Sequence, residues 1–296
     1  MAYAAEGRGN QSFNAAAAEG LEQAQSQLGV TAQESVAAAG EPQSAREQRL
    51  QHLIDAGCTS IVTIGSDYAP AVKEIAAQNS DVTFGLVDST DVRAPTIENI
   101  AFAENEGSFL VGAAAAFKSQ TNVIGFIGDK MSEVGYVAGA KAVKPDIDVR
   151  TVHLRQPPDI SDSASMDKAA AAAKRMYQHE ADVVYQAVRG SGDGVFHAAK
   201  AAGKLAIGVG SDEALTADPS VRDVILTSMI KRVDIGVFDF IKSVKEETFM
   251  PGTMVFDLKA QGVDYSTTGG KVDDIKDKLE DLRSKIISGE IAVPSS

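Results

Sequence analysis

The stretch that decides the fold is Ser60-Ile61-Val62-Thr63-Ile64, followed by Ala69 to Gln78 and then Asp81-Val82-Thr83-Phe84-Gly85-Leu86-Val87-Asp88. The first run is β-branched at four consecutive positions and has no polar alternation, so it predicts a strand buried on both faces. Ala69 to Gln78 predicts a helix, and residues 81–88 return to strand. Strand, helix and strand within about thirty residues make a βαβ unit, whose two strands pair in parallel.

The same alternation extends in both directions. Upstream, Ala2 to Ala5 predicts a first strand, and Ser12 or Asn14 caps a helix running towards Leu28 and closed by Gly29. Glu34 to Ala37 predicts a second strand, and Pro42 opens a helix ending near Gly57. Downstream, strands are predicted at 97–103, 122–127, 147–153, 182–188, 205–209, 224–228 and 253–258. Helices are predicted at 106–117, 133–143, 163–178, 194–201, 231–245 and 273–287. About ten strands exceed one comfortable doubly wound sheet, so two α/β lobes with parallel sheets are expected. In such folds ligands sit at the carboxyl ends of the strands.

Composition narrows the function. The chain has 296 residues, 44% of them hydrophobic and 23% charged, as in a folded globular protein. Its 41 Asp and Glu against 28 Lys and Arg give a formal net charge of -13, which disfavours phosphate-bearing partners and excludes a nucleic-acid binder. Cys58 is the single cysteine, so no intrachain disulfide or cysteine zinc cluster forms, and its apolar surroundings suit a small core residue. The longest near-apolar run, Phe109 to Phe117, is about half the length of a membrane helix. Met1 is followed by the turn Glu6-Gly7-Arg8-Gly9-Asn10 rather than by a basic start and an apolar stretch. A signal peptide is therefore not expected in this chain.

Enzyme signatures are missing. There is no Walker A loop, no His-Glu-x-x-His and no Gly-x-Ser-x-Gly, and the four histidines (His52, His153, His179, His197) lack metal-ligand spacing. Ser165-Met166-Asp167-Lys168 and Ser228-Met229-Ile230-Lys231 match Ser-x-x-Lys, a pattern short enough to arise by chance. Gly190-Ser191-Gly192-Asp193-Gly194 follows a strand, but its third glycine arrives one residue early for a dinucleotide loop. No catalytic residue, metal or cofactor is expected.

Better signals lie at the strand-to-helix junctions. Gly7-Arg8-Gly9-Asn10-Gln11-Ser12-Phe13-Asn14 sets glycines, amides and an aromatic before a helix, where free N–H groups and Asn side chains bind a polar ligand and Phe13 lies against a planar one. An ordinary capped helix with Phe13 in the core is the alternative. Asp88 after Val87, and Asp212-Glu213 after Gly208-Val209-Gly210-Ser211, place carboxylates at strand ends. They either accept bonds from ligand hydroxyls or serve turns and caps.

Several pieces, in this order, carry a family resemblance. They are Gly9-Asn10-Gln11-Ser12-Phe13-Asn14 through Glu19-Gly20-Leu21, Asn105 to Gly112, Ile124-Gly125-Phe126-Ile127-Gly128 and Ala181 to Ala187. Gly192 to Phe196, Ile207 to Asp212 and Thr227 to Asp234 complete the set. Together they span about residues 3–260, and the chain resembles the basic membrane protein family, purine nucleoside receptors that serve ABC importers as substrate-binding lipoproteins. The resemblance implies a type I periplasmic-binding-protein fold of two lobes, 1–101 plus 232–248 and 102–231 plus 249–296, joined by three crossovers that act as a hinge. It implies an extracytoplasmic, lipid-anchored monomer that closes its inter-lobe cleft on a nucleoside and delivers it to a permease. Carried over residue by residue, Phe13 stacks on the base, Asn10 and Asn14 bond its edge, and Asp212 and Lys231 bond the ribose. Asp88 and Tyr185 complete the candidate set.

Three positions depart from the family pattern. Ala4, Asn10 and Gly210 stand where the family has aspartates, which changes the hydrogen-bond inventory because an amide donates as well as accepts. A ligand-sensing module on the same fold, or an enzyme using Asp88 and Asp212 for acid–base work on nucleosides or sugars, are the alternative readings.

Overall fold

The computed structural model describes residues 1–5, 7–9, 13–90, 92–154, 162–188 and 192–295, with the side chains of 162–165 left aside. In chain order the elements are β1 (Ala2–Tyr3), α1 (Phe13–Leu28), β2 (Ser35–Val36), α2 (Gln43–Asp55), β3 (Ser60–Ile64), α3 (Ala69–Gln78), β4 (Thr83–Val87) and β5 (Ile97–Phe102). Then come α4 (Glu104–Lys118), β6 (Val123–Gly128), α5 (Lys130–Val143), β7 (Asp148–His153), α6 (Asp162–Gln178), β8 (Val183–Gln186), α7 (Gly192–Ala202), β9 (Leu205–Gly210) and α8 (Glu213–Thr216). The chain ends with β10 (Ile225–Lys231), α9 (Val233–Lys245), β11 (Gly252–Phe256), β12 (Val263–Tyr265) and α10 (Lys276–Ile287).

Two compact units result. The first comprises Met1–Phe102, Arg232–Phe256 and Ala260–Gly262; the second comprises Ala103–Lys231, Asp257–Lys259 and Val263–Ser296. The first unit carries a wholly parallel sheet in the order β11-β5-β4-β3-β1-β2. The founding run Ser60 to Ile64 pairs residue for residue with Thr83 to Val87. Ile61, Phe84, Leu86 and Ile97 from its strands are buried with Leu50, Leu53 and Val72 from its helices. The lone thiol, Cys58, packs half-buried against this core.

The second unit's sheet runs β12-β10-β9-β8-β6-β7, parallel except for the antiparallel β12. Its helices α4 and α5 lie close together because glycines remove side-chain bulk. A β-carbon on Gly112 or Gly139 would collide with the backbone carbonyl of Tyr136 or Phe109. Asp129 caps α5 by accepting from the Ser132 N–H at 2.9 Å.

Three expectations need correction. The division after residue 248 falls early: Gly252–Phe256 pairs in parallel with Glu98–Phe102, so this strand belongs to the first unit. A strand at 263–265 was not expected, because three residues with Asp264 in the middle show no apolar pattern. That strand pairs with Met229, Ile230 and Lys231, so β10 runs on to Lys231 where the sequence predicted a helix start; α9 begins at Val233.

Candidate functional site

The second unit gathers its polar side chains at the carboxyl ends of β8, β9 and β10. Asp212 lies two residues beyond β9, at the N-cap position of α8, yet its carboxylate does not cap the helix. Instead Oδ2 accepts from Ser266 Oγ at 2.7 Å and from Thr268 Oγ1 at 2.5 Å. Ser266 is itself anchored: its N–H donates to the Ser228 carbonyl at 2.9 Å, and its carbonyl accepts from Thr227 Oγ1 at 2.6 Å. The second oxygen, Oδ1, is buried and has no hydrogen-bond partner among the described residues. An ionised carboxylate only accepts, so this oxygen is suited to a ligand that brings a donor.

Lys231 ends β10 next to this carboxylate's strand, with Ile230 in register with Gly210. It is buried, and its ammonium pairs with Glu104 Oε1 at 2.6 Å at the start of α4. The other oxygen of Glu104 accepts from Ser132 Oγ at 3.4 Å. Glu213, adjacent to Asp212, accepts from Gln186 Nε2 and from the Val209 N–H, each at 2.8 Å. Burial pushes the Glu213 carboxyl up to about 7, and the charges of Asp193 and Asp212 push it the same way.

Tyr185 is placed differently from expectation. It is wholly buried, its ring packed against Phe126 and Tyr136 with centroids 5.6 and 5.3 Å away. Its hydroxyl shares a hydrogen bond with Ser108 Oγ at 3.4 Å. The ring packs in the core under the strand ends.

In the first unit, Phe13 begins α1 and is half-buried, while Asn14 beside it is buried. The Asn14 amide donates to the carbonyls of Ala4 and Ala5 at 3.4 and 3.3 Å, tying the helix start to the end of β1. Its Nδ2 is thus spent on the backbone, which leaves the amide oxygen for other partners. Asn10 lies outside the described residues. Asp88 follows β4 with φ of 67°, a left-handed backbone rare for a non-glycine residue, and its N–H donates to the Ile100 carbonyl at 2.9 Å. Within the first unit Phe13 and Asn14 are consecutive at the start of α1; within the second, Asp212 follows β9 and Lys231 ends the neighbouring strand β10.

Glu104, Gln186, Ser266 and Thr268 were missed by sequence reasoning. Their importance comes from register and contact, and no local motif marks them. Among the described residues, no group of three or more His, Cys, Asp or Glu side chains could hold a metal, and no helix is long and apolar enough to cross a membrane.

Two parallel-sheet α/β lobes of alternating chain segments define the periplasmic-binding-protein fold. A crystal structure of an ABC transporter solute-binding protein from Aeropyrum pernix K1 shares this fold, with a TM-score of 0.73 at 24% identity, covering 100% of this chain and 94% of that one. The model of the Bmp family, described as ABC transporter substrate-binding protein PnrA-like, matches residues 2–296. The chain belongs to this family and is a substrate-binding component of an ABC transporter, not an enzyme. It is 37% identical over 252 residues to the ABC transporter nucleoside-binding protein BmpA of Lactococcus lactis subsp. cremoris, covering 78% of this chain and 70% of that protein. It is 34% identical over 254 residues to the CD4+ T-cell-stimulating antigen of Listeria monocytogenes, covering 79% of this chain and 70% of that protein. Substrate-binding proteins of this family act outside the cytoplasm.

Proposed function

We propose that the chain is the receptor of an importer for nucleosides, purine nucleosides first among them, and that it hands its ligand to a membrane permease. The observation that carries this reading is the Asp212 carboxylate, braced through one oxygen while the other is buried with no hydrogen-bond partner among the described residues. A ribose hydroxyl supplies the missing donor, and the charged acceptor makes that bond worth about 1.5–3 kcal/mol. Lys231 adds a charged donor on the neighbouring strand. Phe13 gives the base an aromatic face, Asn14 and Asn10 its polar edge, and Asp88 a further acceptor. Hinge closure on the ligand, a lipid anchor and a monomeric state belong to the same proposal, and the relative named a nucleoside-binding protein supports it.

Calorimetric titration of refolded, ligand-stripped protein with purine nucleosides, pyrimidine nucleosides, free bases and sugars tests the reading. Saturable binding of nucleosides with 2′- and 3′-hydroxyls, weaker binding of their deoxy forms, and a fall in the radius of gyration on binding are expected. Binding of sugars alone would retain the fold and overturn the ligand.

A further inference from the structure

Glu213 connects more of the second unit than its place in the chain suggests. Its Oε2 accepts from Gln186 on β8 and from the Val209 N–H on β9, and its own backbone N–H donates to Ser228 Oγ on β10 at 3.2 Å. One residue therefore ties three adjacent strands together at their carboxyl ends. Two glycines make room for it: a β-carbon on Gly208 would collide with Oε2, and one on Gly192 would lie 2.7 Å from Oε1. Gln186, its partner, is wholly buried.

Building on the nucleoside-receptor reading, we propose that Glu213 is a positioning residue that holds the turn carrying Asp212 in register with β8 and β10. One carboxyl oxygen takes both N–H donors, from Gln186 and from Val209, while its own backbone N–H donates to the Ser228 hydroxyl, so the peptide next to Asp212 is fixed to three strands at once. An amide oxygen accepts the same two bonds; a methyl group does not.

The test is calorimetric titration of the full chain with inosine and adenosine. Parent, Glu213→Gln and Glu213→Ala are compared, and hydrogen exchange of the Val209 amide is followed in all three. Glu213→Gln keeps an acceptor for both donors, so it is expected to bind within about threefold of the parent and to keep a protected Val209 amide. Glu213→Ala binds at least tenfold more weakly, and its Val209 amide exchanges at least tenfold faster. Parent-like binding and exchange in Glu213→Ala, or a loss in Glu213→Gln as large as in Glu213→Ala, overturn the positioning role. If the parent binds neither nucleoside, the functional reading fails, and Val209 exchange in the two variants still decides whether Glu213 positions the turn.

Discussion

Each unit contains one glutamate that burial pushes up to about 7, and the two do opposite things. Glu213 in the second unit accepts two N–H donors and knots three strand ends. Glu98 in the first unit sits inside β5, in register with Gly85 on one side and Gly252 on the other, and is 5% exposed. What raises its pKa after burial is the charge of Asp239 on α9. The same desolvation therefore serves an organised site in one place and stands as an electrostatic burden in the other. What separates them is that Glu213, although two carboxylates repel it, also accepts hydrogen bonds from Gln186 and Val209, whereas Asp239 only repels Glu98.

Four measurements break or sharpen that contrast. The largest effect is expected at the braced acceptor beside Glu213. Asp212→Ala should weaken nucleoside binding about 100-fold or more, with the far-ultraviolet dichroism of the parent, because a charged hydrogen bond and its brace go together. Binding within threefold of the parent would remove Asp212 from the site.

Glu98→Gln comes next, and it acts on stability instead of binding. Burial and the charge of Asp239 push the folded carboxyl up to about 7, well above the ordinary carboxylate range, so the protonated form is the one the fold prefers. That preference is fully present below the unfolded value and is lost as pH rises through 7, leaving a cost of up to about 3 kcal/mol at alkaline pH. The amide removes the cost. The thermal midpoint of the variant should exceed the parent's by several degrees at pH 8.5 and match it near pH 4. A variant less stable at pH 8.5 would show that Glu98 has a hidden donor and that the contrast with Glu213 is false.

Removing the Asp212 brace alone should cost less than removing the carboxylate. Ser266→Ala combined with Thr268→Val should weaken binding about tenfold, through loss of roughly one net hydrogen bond's worth of positioning. Ser266→Thr with Thr268→Ser, which keep both hydroxyls, should restore most of it in the same titration. Failure of that rescue would assign the loss to packing.

The smallest effect is expected at Asp239→Asn, whose charge is the secondary cause at Glu98. Stability at pH 8.5 should rise by less than in Glu98→Gln, and adding it to Glu98→Gln should give little further gain, since the two groups share one interaction. Fully additive gains in a double-mutant cycle would mean that the two carboxyls do not interact.

Much of the fold was legible because burial writes itself into periodicity. Ser60 to Ile64 and Ala69 to Gln78 were read with the bounds the structure has, since an apolar run and a helical spacing are properties of neighbours in sequence. The β12 strand was not legible, because three residues including Asp264 become a strand only when Met229 to Lys231 offer them a ladder. The unit to which Gly252–Phe256 belongs was equally hidden, set by pairing with a strand about 150 residues earlier.

At the site the division is similar. Asp212 was proposed from its place after a strand, Phe13 and Asn14 from their junction with a helix, and Lys231 only from the family resemblance, at a position read as a helix start. The surroundings of Tyr185 were not legible, because only the packed sheet shows that its ring lies against Phe126 and Tyr136. By itself the sequence determined the βαβ order, the two-lobe class and the carboxylates at the strand ends, which depend on local spacing, while an ordered set of motifs carried the family resemblance. The tertiary structure alone decided that Ser266 and Thr268 brace Asp212, that Glu104 pairs with Lys231, and that Glu213 is a knot while Glu98 is a burden. Hydrogen bonds and desolvation act between atoms brought close in space, and those partners lie tens to more than a hundred residues apart along the chain.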